Sequence, residues 1–209
     1  MKPFLRLFSA AAVLALVAAA PARAAVETYS FDQAHTHVGF SVRHVFTPVK
    51  GEFKEVTGSI VIDRDNLANS KVEVKIPAAS INTNNERRDG HLKSEDFFFV
   101  EKNPEITFVS KSITVGKDNK GKMSGDLTMR GVTKPVTLDV EVLGFAGTGP
   151  GSVAGFTARG VLNRKDYGIN WNKTLDQGGT LLSDDVQLEI EVEARIPKPA
   201  PPAGAEAKK

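Results

Sequence analysis

The stretch Val186-Gln187-Leu188-Glu189-Ile190-Glu191-Val192-Glu193-Ala194-Arg195-Ile196 alternates apolar and polar residues for its whole length. Extended, it places every apolar side chain on one face and every charge on the other; on a helix the three glutamates would spread around the circumference, so the stretch predicts a half-buried strand. The same alternation runs through Val72, Val74 and Ile76 against Lys71, Glu73 and Lys75. It recurs in Val136, Leu138, Val140 and Val142 against Thr137, Asp139 and Glu141. Further strands are predicted near residues 35–46, 52–63, 105–115, 122–130 and 152–163. Asp65-Asn66, Asp118-Asn119-Lys120-Gly121, Gly131-Val132-Thr133-Lys134-Pro135 and the segment from Gly144 to Gly151 supply turns.

Some eight antiparallel strands, each with one wet face, either stack as two sheets or close on themselves. Several span ten or more residues, roughly 33 Å at about 3.3 Å per residue. No cysteine exists to tie two sheets together. The expected fold is therefore all-β, an extended antiparallel barrel of about eight strands. Closure removes exposed edges, and eight strands leave an interior wide enough for side chains or one small ligand. One interruption, from Asn82 to Asp96, predicts a short helix N-capped by Asn84 or Asn85 and carrying Glu86, Arg87, Arg88, Asp89, His91 and Leu92.

The 209 residues, 41% apolar and 25% charged, fit one globular domain and exclude collagen, wholesale disorder and a polytopic membrane protein. Lys2 and Arg6 precede an apolar run from Leu7 to Ala20, then Pro21 and Ala22-Arg23-Ala24. This predicts a cleaved export signal over residues 1–24. The run falls short of the roughly 20 residues a membrane crossing needs. Without Lys2, Arg6 and Arg23, 24 basic residues face 25 acidic ones, so no positive excess is left for non-specific nucleic-acid binding. With no cysteine to carry a lipid, the mature chain is expected free in an extracytoplasmic compartment. Residues 25–196 form the predicted domain, and the Pro/Ala-rich stretch 197–209 a disordered tail.

Nucleophilic catalysis finds no support, since neither G-x-S-x-G nor S-x-x-K occurs. Ser41 and His37 would stand roughly 13 Å apart along a strand. Asp63-Arg64-Asp65-Asn66 opens like a calcium loop but has Ala68 and Val74 where the turn glycine and bidentate glutamate belong. The glycines from 144 to 151 precede a strand, not the helix a phosphate loop requires. His35 and His37, two apart on a strand, would face one side and could share a metal ion, although no third ligand is identifiable. His44 has the parity of Val38, Phe40 and Val42 and is expected on their apolar face, as a core histidine or as a polar group offered to a ligand. In the predicted helix Arg87, Arg88 and His91 cluster into a cationic patch suited to a phosphate or polar head group. Glu86, Asp89, Glu95 and Asp96 are close enough to neutralise it instead.

Several motifs together resemble the YceI-like family. These are Asp32-x-x-His35-Thr36-x-Val38-x-Phe40-x-Val42-x-His44, Gly51-x-Phe53, Ile81-Asn82-Thr83 through Arg87-Arg88-Asp89-x-His91-Leu92 to Asp96-Phe97-Phe98, and Pro104-x-Ile106-x-Phe108. Gly125-x-Leu127-Thr128-x-x-Gly131-Val132-Thr133-Lys134-Pro135-Val136 and Arg164-x-Asp166-Tyr167-Gly168 complete them. The resemblance spans Glu27 to Ile196 in order and spacing; His37 and the Pro/Ala tail fall outside it. It implies a lipocalin-like barrel exported to the bacterial periplasm, with an apolar lumen for polyisoprenoid chains such as isoprenoid quinones or polyprenyl phosphates.

On that reading Val38, Phe40, Val42, Phe53, Phe108, Leu127, Leu188 and Ile190 line the lumen, while His44, Arg87, Arg88 and His91 meet the head group. Each prenyl unit could gain about 4 kcal/mol gross at about 0.8 kcal/mol per buried methylene. A long chain would then pass the ceiling of about 20 kcal/mol, so immobilisation must offset much of it. The expected partner is a long-chain isoprenoid lipid, with no nucleic acid, no cofactor and no catalysis. Membrane contact is expected to be transient, without an integral span, and the chain to be a monomer or homodimer. Two alternatives stand beside this: an envelope stress protein whose barrel is filled with side chains, and a histidine-based metal enzyme acting on lipid heads.

Overall fold

The computed structural model describes residues 26–176 and 178–199. The leader read over residues 1–24, and the tail from residue 200 onward, lie outside them; Pro197 to Pro199 carry no regular structure. The strands are β1 (Glu27–Phe31), β2 (His37–His44), β3 (Thr47–Phe53), β4 (Thr57–Ile62), β5 (Lys71–Pro77) and β6 (Ile81–Asn82). After helix α1 (Glu86–Lys93) come β7 (Glu105–Val115), β8 (Lys120–Met129), β9 (Val132–Ala146), β10 (Val153–Asn163) and β11 (Leu182–Arg195).

All pairings are antiparallel, and they close. The ring runs β1-β4-β5-β7-β8-β9-β10-β11 and returns through Ser30↔Arg195 and Phe31↔Ala194. Further along β11, Glu191↔His37 through Leu182↔His44 joins β2, which carries β3 and then β6. β1 and β2 are thus two halves of one stave, as are β3 with β4 and β5 with β6. The barrel therefore has the eight staves expected, three of them broken.

The breaks, at residues 32–36, 54–56 and 78–80, lie side by side and are stitched by bonds that replace the missing ladder. The Gln33 carboxamide donates to the Val56 carbonyl and accepts from its N–H. Lys54 N–H donates to Ser80 at 3.0 Å, and Ala78 N–H to Pro104 at 2.8 Å. His35, read from sequence as part of the first long strand, lies in the first break. There Asp32 Oδ1 accepts from Ala34 N–H at 3.0 Å in an Asx-type turn that ends the strand.

The alternating faces fall as the periodicity predicts. Leu188 faces Phe40, Ile190 faces Val38, and Val38 faces Phe53 across the inner surface. Two glycines make room for the largest inward rings. A Cβ on Gly51 would sit 2.4 Å from Phe40 Cζ, and one on Gly125 would sit 2.5 Å from Phe108 Cζ, so each phenyl ring lies across bare backbone of the neighbouring strand. One end of the barrel is closed by Tyr29, Ile60, Ile62, Ala154 and Ala194. Tyr29 is fully buried; its hydroxyl donates to Glu27 and accepts from Arg64 Nη2 at 2.6 Å. Arg64 also pairs with Glu27 and lies 4.5 Å over the Phe145 ring.

Asn85 caps α1, its side chain accepting from Arg88 N–H at 3.0 Å. The helix covers the opposite end together with residues 164–171. Arg164, only 4% exposed, holds that segment in place. Its Nη1 donates to the Ile169 and Trp171 carbonyls at 2.8 and 2.7 Å, and its Nε to Ser183 at 3.0 Å. Burial draws the guanidinium pKa below its ordinary value, and the Asp184 carboxylate 3.3 Å away acts in the other direction.

Tyr29→Ala empties a fully enclosed site and is expected to lower stability by about 3–5 kcal/mol, whereas Leu143→Ala, at an exposed position, should stay within about 0.5 kcal/mol. Urea unfolding of both variants checks the pair, and equal losses would contradict this inside–outside assignment.

A second expectation concerns the ring's seam. Arg195 Nε bonds Asp32 Oδ2 at 2.6 Å, and with His35 it holds the Asp32 carboxyl down at about 2. A depressed carboxyl stabilises the fold above its unfolded pKa, and that contribution is lost as pH falls through the folded value. The melting-temperature gap between wild type and Asp32→Asn should therefore narrow from about pH 4 down to about pH 2. A gap that stays constant over this window would show the pair to be inert.

Candidate functional site

Two apolar cavities occupy the barrel. The first, of about 300 Å³, lies beneath α1 and residues 164–171. Phe40, Val42, Val49, Phe53 and Leu188 form its strand wall, with Leu92, Phe97 and Phe98 on the helical side and Ile169, Trp171 and Leu182 on the third. The second, of about 210 Å³, runs along the lumen between Val38, Val74, Phe108, Leu127, Leu138, Ala158 and Ile190. Phe53, Met129, Leu162 and Leu188 stand in both walls, so the two spaces adjoin.

All of the lumen residues read from sequence line these spaces. Phe40 and Val42 face the first, Val38, Phe108, Leu127 and Ile190 the second, and Phe53 and Leu188 both. Inward parity puts them there, and the register across β2, β11, β7 and β8 sets them at neighbouring levels.

The polar residues divide differently. His44, half-buried at the end of β2, stands in the wall of the first cavity, as do Arg88 and His91. Arg87 does not: it is exposed and absent from that wall. Neighbouring helical positions point about 100° apart, so when α1 turns Arg88 and His91 toward the lumen, Arg87 points elsewhere.

Neutralisation of the patch is partial. His91 Nε2 bonds Asp96 at 2.7 Å while its ring meets Phe97 and Trp171 edge-on at 5.0 and 4.9 Å. Asp89 turns instead to Thr83, accepting from its N–H at 2.9 Å and from its hydroxyl. Arg88 bonds that same Thr83, Nε to Oγ1 and Nη2 to the carbonyl, each at 2.8 Å.

Sequence reasoning passes over Arg164 and Trp171 as wall residues. Trp171 carries no periodic signal, and the burial of Arg164 depends on the carbonyls of Ile169, Trp171 and Ser183, which only folding brings around it. Next to Arg164, Tyr167 is 1% exposed, and its hydroxyl has no hydrogen-bond partner among the described residues. Burial, with the nearby Asp166 charge, pushes its phenol up to about 12.

His35 and His37 do not share a site. The break in the stave separates them: His35 Nδ1 meets Asp32 at 3.2 Å, while His37 Nδ1 meets Glu52 at 3.0 Å. Lys54, 2.5 Å from Glu52, contributes most to holding that carboxyl below its ordinary value. Asp32, His35 and Glu193 could bring three ligand atoms within 4.8 Å of one another. Arg195 bonds both of those carboxylates at 2.6 Å, so a cation already occupies the place between them.

The comparisons with known proteins agree with this architecture. A UPF0312 protein of Staphylococcus epidermidis is 39% identical over 171 residues, covering 80% of this chain and 97% of that protein. The crystal structure of the Campylobacter jejuni YceI protein superposes with a TM-score of 0.64 at 40% identity, covering 80% of this chain and 96% of that one. A domain from Saccharophagus degradans, described as polyisoprenoid-binding and implicated in plant cell wall breakdown, shares the fold. It has a TM-score of 0.59 at 15% identity, covering 83% of this chain and all of its own. The model of the YceI-like domain matches residues 29–194, and the chain belongs to that family.

Proposed function

We propose that this protein is a periplasmic binding or carrier protein that holds a long isoprenoid chain, that of an isoprenoid quinone or a polyprenyl phosphate, in its barrel lumen. The observation that carries this is the pair of adjoining apolar cavities. At about 24 cal/mol per Å³, leaving 300 Å³ of core empty forgoes on the order of 7 kcal/mol of packing. That is comparable with the whole stability of an ordinary domain. Apolar space of this kind takes up apolar guests. An elongated run of such space suits a chain better than a compact solute, and burial of methylenes supplies the affinity.

Polar side chains enter the walls mainly at the helix-covered end, so the chain lies along the barrel with its head toward α1. The polyisoprenoid-binding description of the Saccharophagus domain supports the same choice of ligand. The leader read from the sequence supports export. No helix among the described residues is long and apolar enough to cross a membrane, and transient membrane contact is part of the same reading. Binding without catalysis fits a lumen wall that is almost wholly hydrocarbon.

Organic extraction of freshly purified protein, followed by mass spectrometry, should yield an isoprenoid lipid in near-equimolar amount. A clean extract would favour a barrel that works without a guest. Ala158, 8% exposed on the inner face of β10, offers a way to block the lumen. Ala158→Phe should abolish the co-purifying lipid while the barrel stays folded by circular dichroism, at an overpacking penalty of about 1–3 kcal/mol. Undiminished lipid in that variant would place the guest elsewhere.

A further inference from the structure

Arg88 stands in an apolar wall with its charge unanswered. Two of its five N–H groups are used, both on neutral oxygens of Thr83. Among the described residues no carboxylate lies within ion-pair distance of it. The acids closest along the chain bond other groups: Asp89 accepts from Thr83, and Asp96 from His91.

The guanidinium is also fixed in place. Thr83 is 5% exposed, and its hydroxyl donates to Asp89 while accepting from Arg88 Nε, so the helix's own acid orients the oxygen that orients the arginine. Three donors remain on a positioned, planar cation at the edge of a hydrocarbon cavity, where low polarity strengthens any charge-assisted bond.

Arg164, in the same wall, is a different case. Its donors are consumed by three backbone carbonyls and Asp184, so it builds the wall and offers little to a guest.

Resting on the carrier reading above, we infer that the lumen selects a lipid with an acidic head group, a carboxylate or a phosphate ester, held by the free N–H groups of Arg88. A neutral head such as a quinone or an alcohol leaves that guanidinium without a counter-charge and binds less tightly.

The test uses the full protein stripped of co-purifying lipid. Laurate, dodecyl phosphate and dodecanol share one chain and differ in the head, and calorimetry gives the affinity for each. Wild type should bind at least one of the two acids about ten- to a hundredfold more tightly than the alcohol, and the stronger acid identifies the head as carboxylate or phosphate. Arg88→Met should erase that preference while leaving dodecanol affinity within about twofold. Arg88→Lys, which keeps the charge but not the fork, should retain part of it. Arg87→Met, on the exposed side of α1, should leave it intact.

Equal affinities in wild type would overturn the inference, as would an acid preference that survives Arg88→Met. If Arg88→Met does not fold, the wild-type ratio and Arg88→Lys decide, and an acid preference undiminished in the lysine variant overturns the assignment to the Arg88 fork. Failure of all three probes to bind wild type would overturn the carrier reading itself, whereas tight binding of all three alike would overturn the head-group inference alone.

Discussion

Closure of the sheet through β11 is the constraint on which the rest of the molecule depends. This single strand pairs with β10 along one side and with both halves of the first stave along the other, β1 near its end and β2 over the remainder. A sheet that fails to close there exposes two long edges and turns its apolar face to water. Once it closes, period two does the sorting: Leu188 and Ile190 go in, and Glu189 and Glu191 stay out. The Asp32–Arg195 pair stands where the first stave breaks away from β11, so its position reinforces the seam at the point where ladder bonds stop.

An eight-staved ring encloses more space than its own side chains fill at one end. At the far end Tyr29, Ile60 and Ile62 meet across Ala154 and Ala194, both fully buried, and close the lumen. Toward α1 the ring is roofed by pieces that are not strands: a two-turn helix and the segment gathered around Arg164. Such a roof follows its own local geometry and does not continue the interdigitation of the staves, and the larger cavity lies beneath it. Glycines at 51 and 125 let Phe40 and Phe108 lie across the neighbouring backbone, so even the bulky inward residues spread along the wall.

What can be read from the chain follows from how far each determinant reaches. Alternation is local and repeats over many residues, so the all-β character and the inward face of each long strand are legible in the amino-acid sequence alone. Asn85 is legible as a cap because capping is decided within four residues. The strand breaks are not, since they rest on Gln33 reaching Val56 and Lys54 reaching Ser80, contacts between segments that sequence spacing does not bring together. His35 is misplaced for the same reason: its parity with His37 holds only if the strand runs unbroken from 35. Helical spacing groups Arg87 with Arg88 and His91 because a helix brings all three near one another, and only docking against the barrel decides which way the helix turns.

The two arginines of the larger cavity show why composition alone does not separate a binding charge from a building charge. Both are cations beside hydrocarbon. Arg164 is surrounded by carbonyls that would otherwise be buried without donors, so its charge is dispersed over the backbone it organises. Arg88 spends only its Nε and one Nη2 proton on Thr83, and the acid that fixes this threonine, Asp89, bonds the threonine and not the arginine. Had Asp89 paired with Arg88 directly, the cation would be neutralised where it stands. The intervening hydroxyl orients the guanidinium without quenching it, leaving a directed positive charge at one end of an apolar lumen.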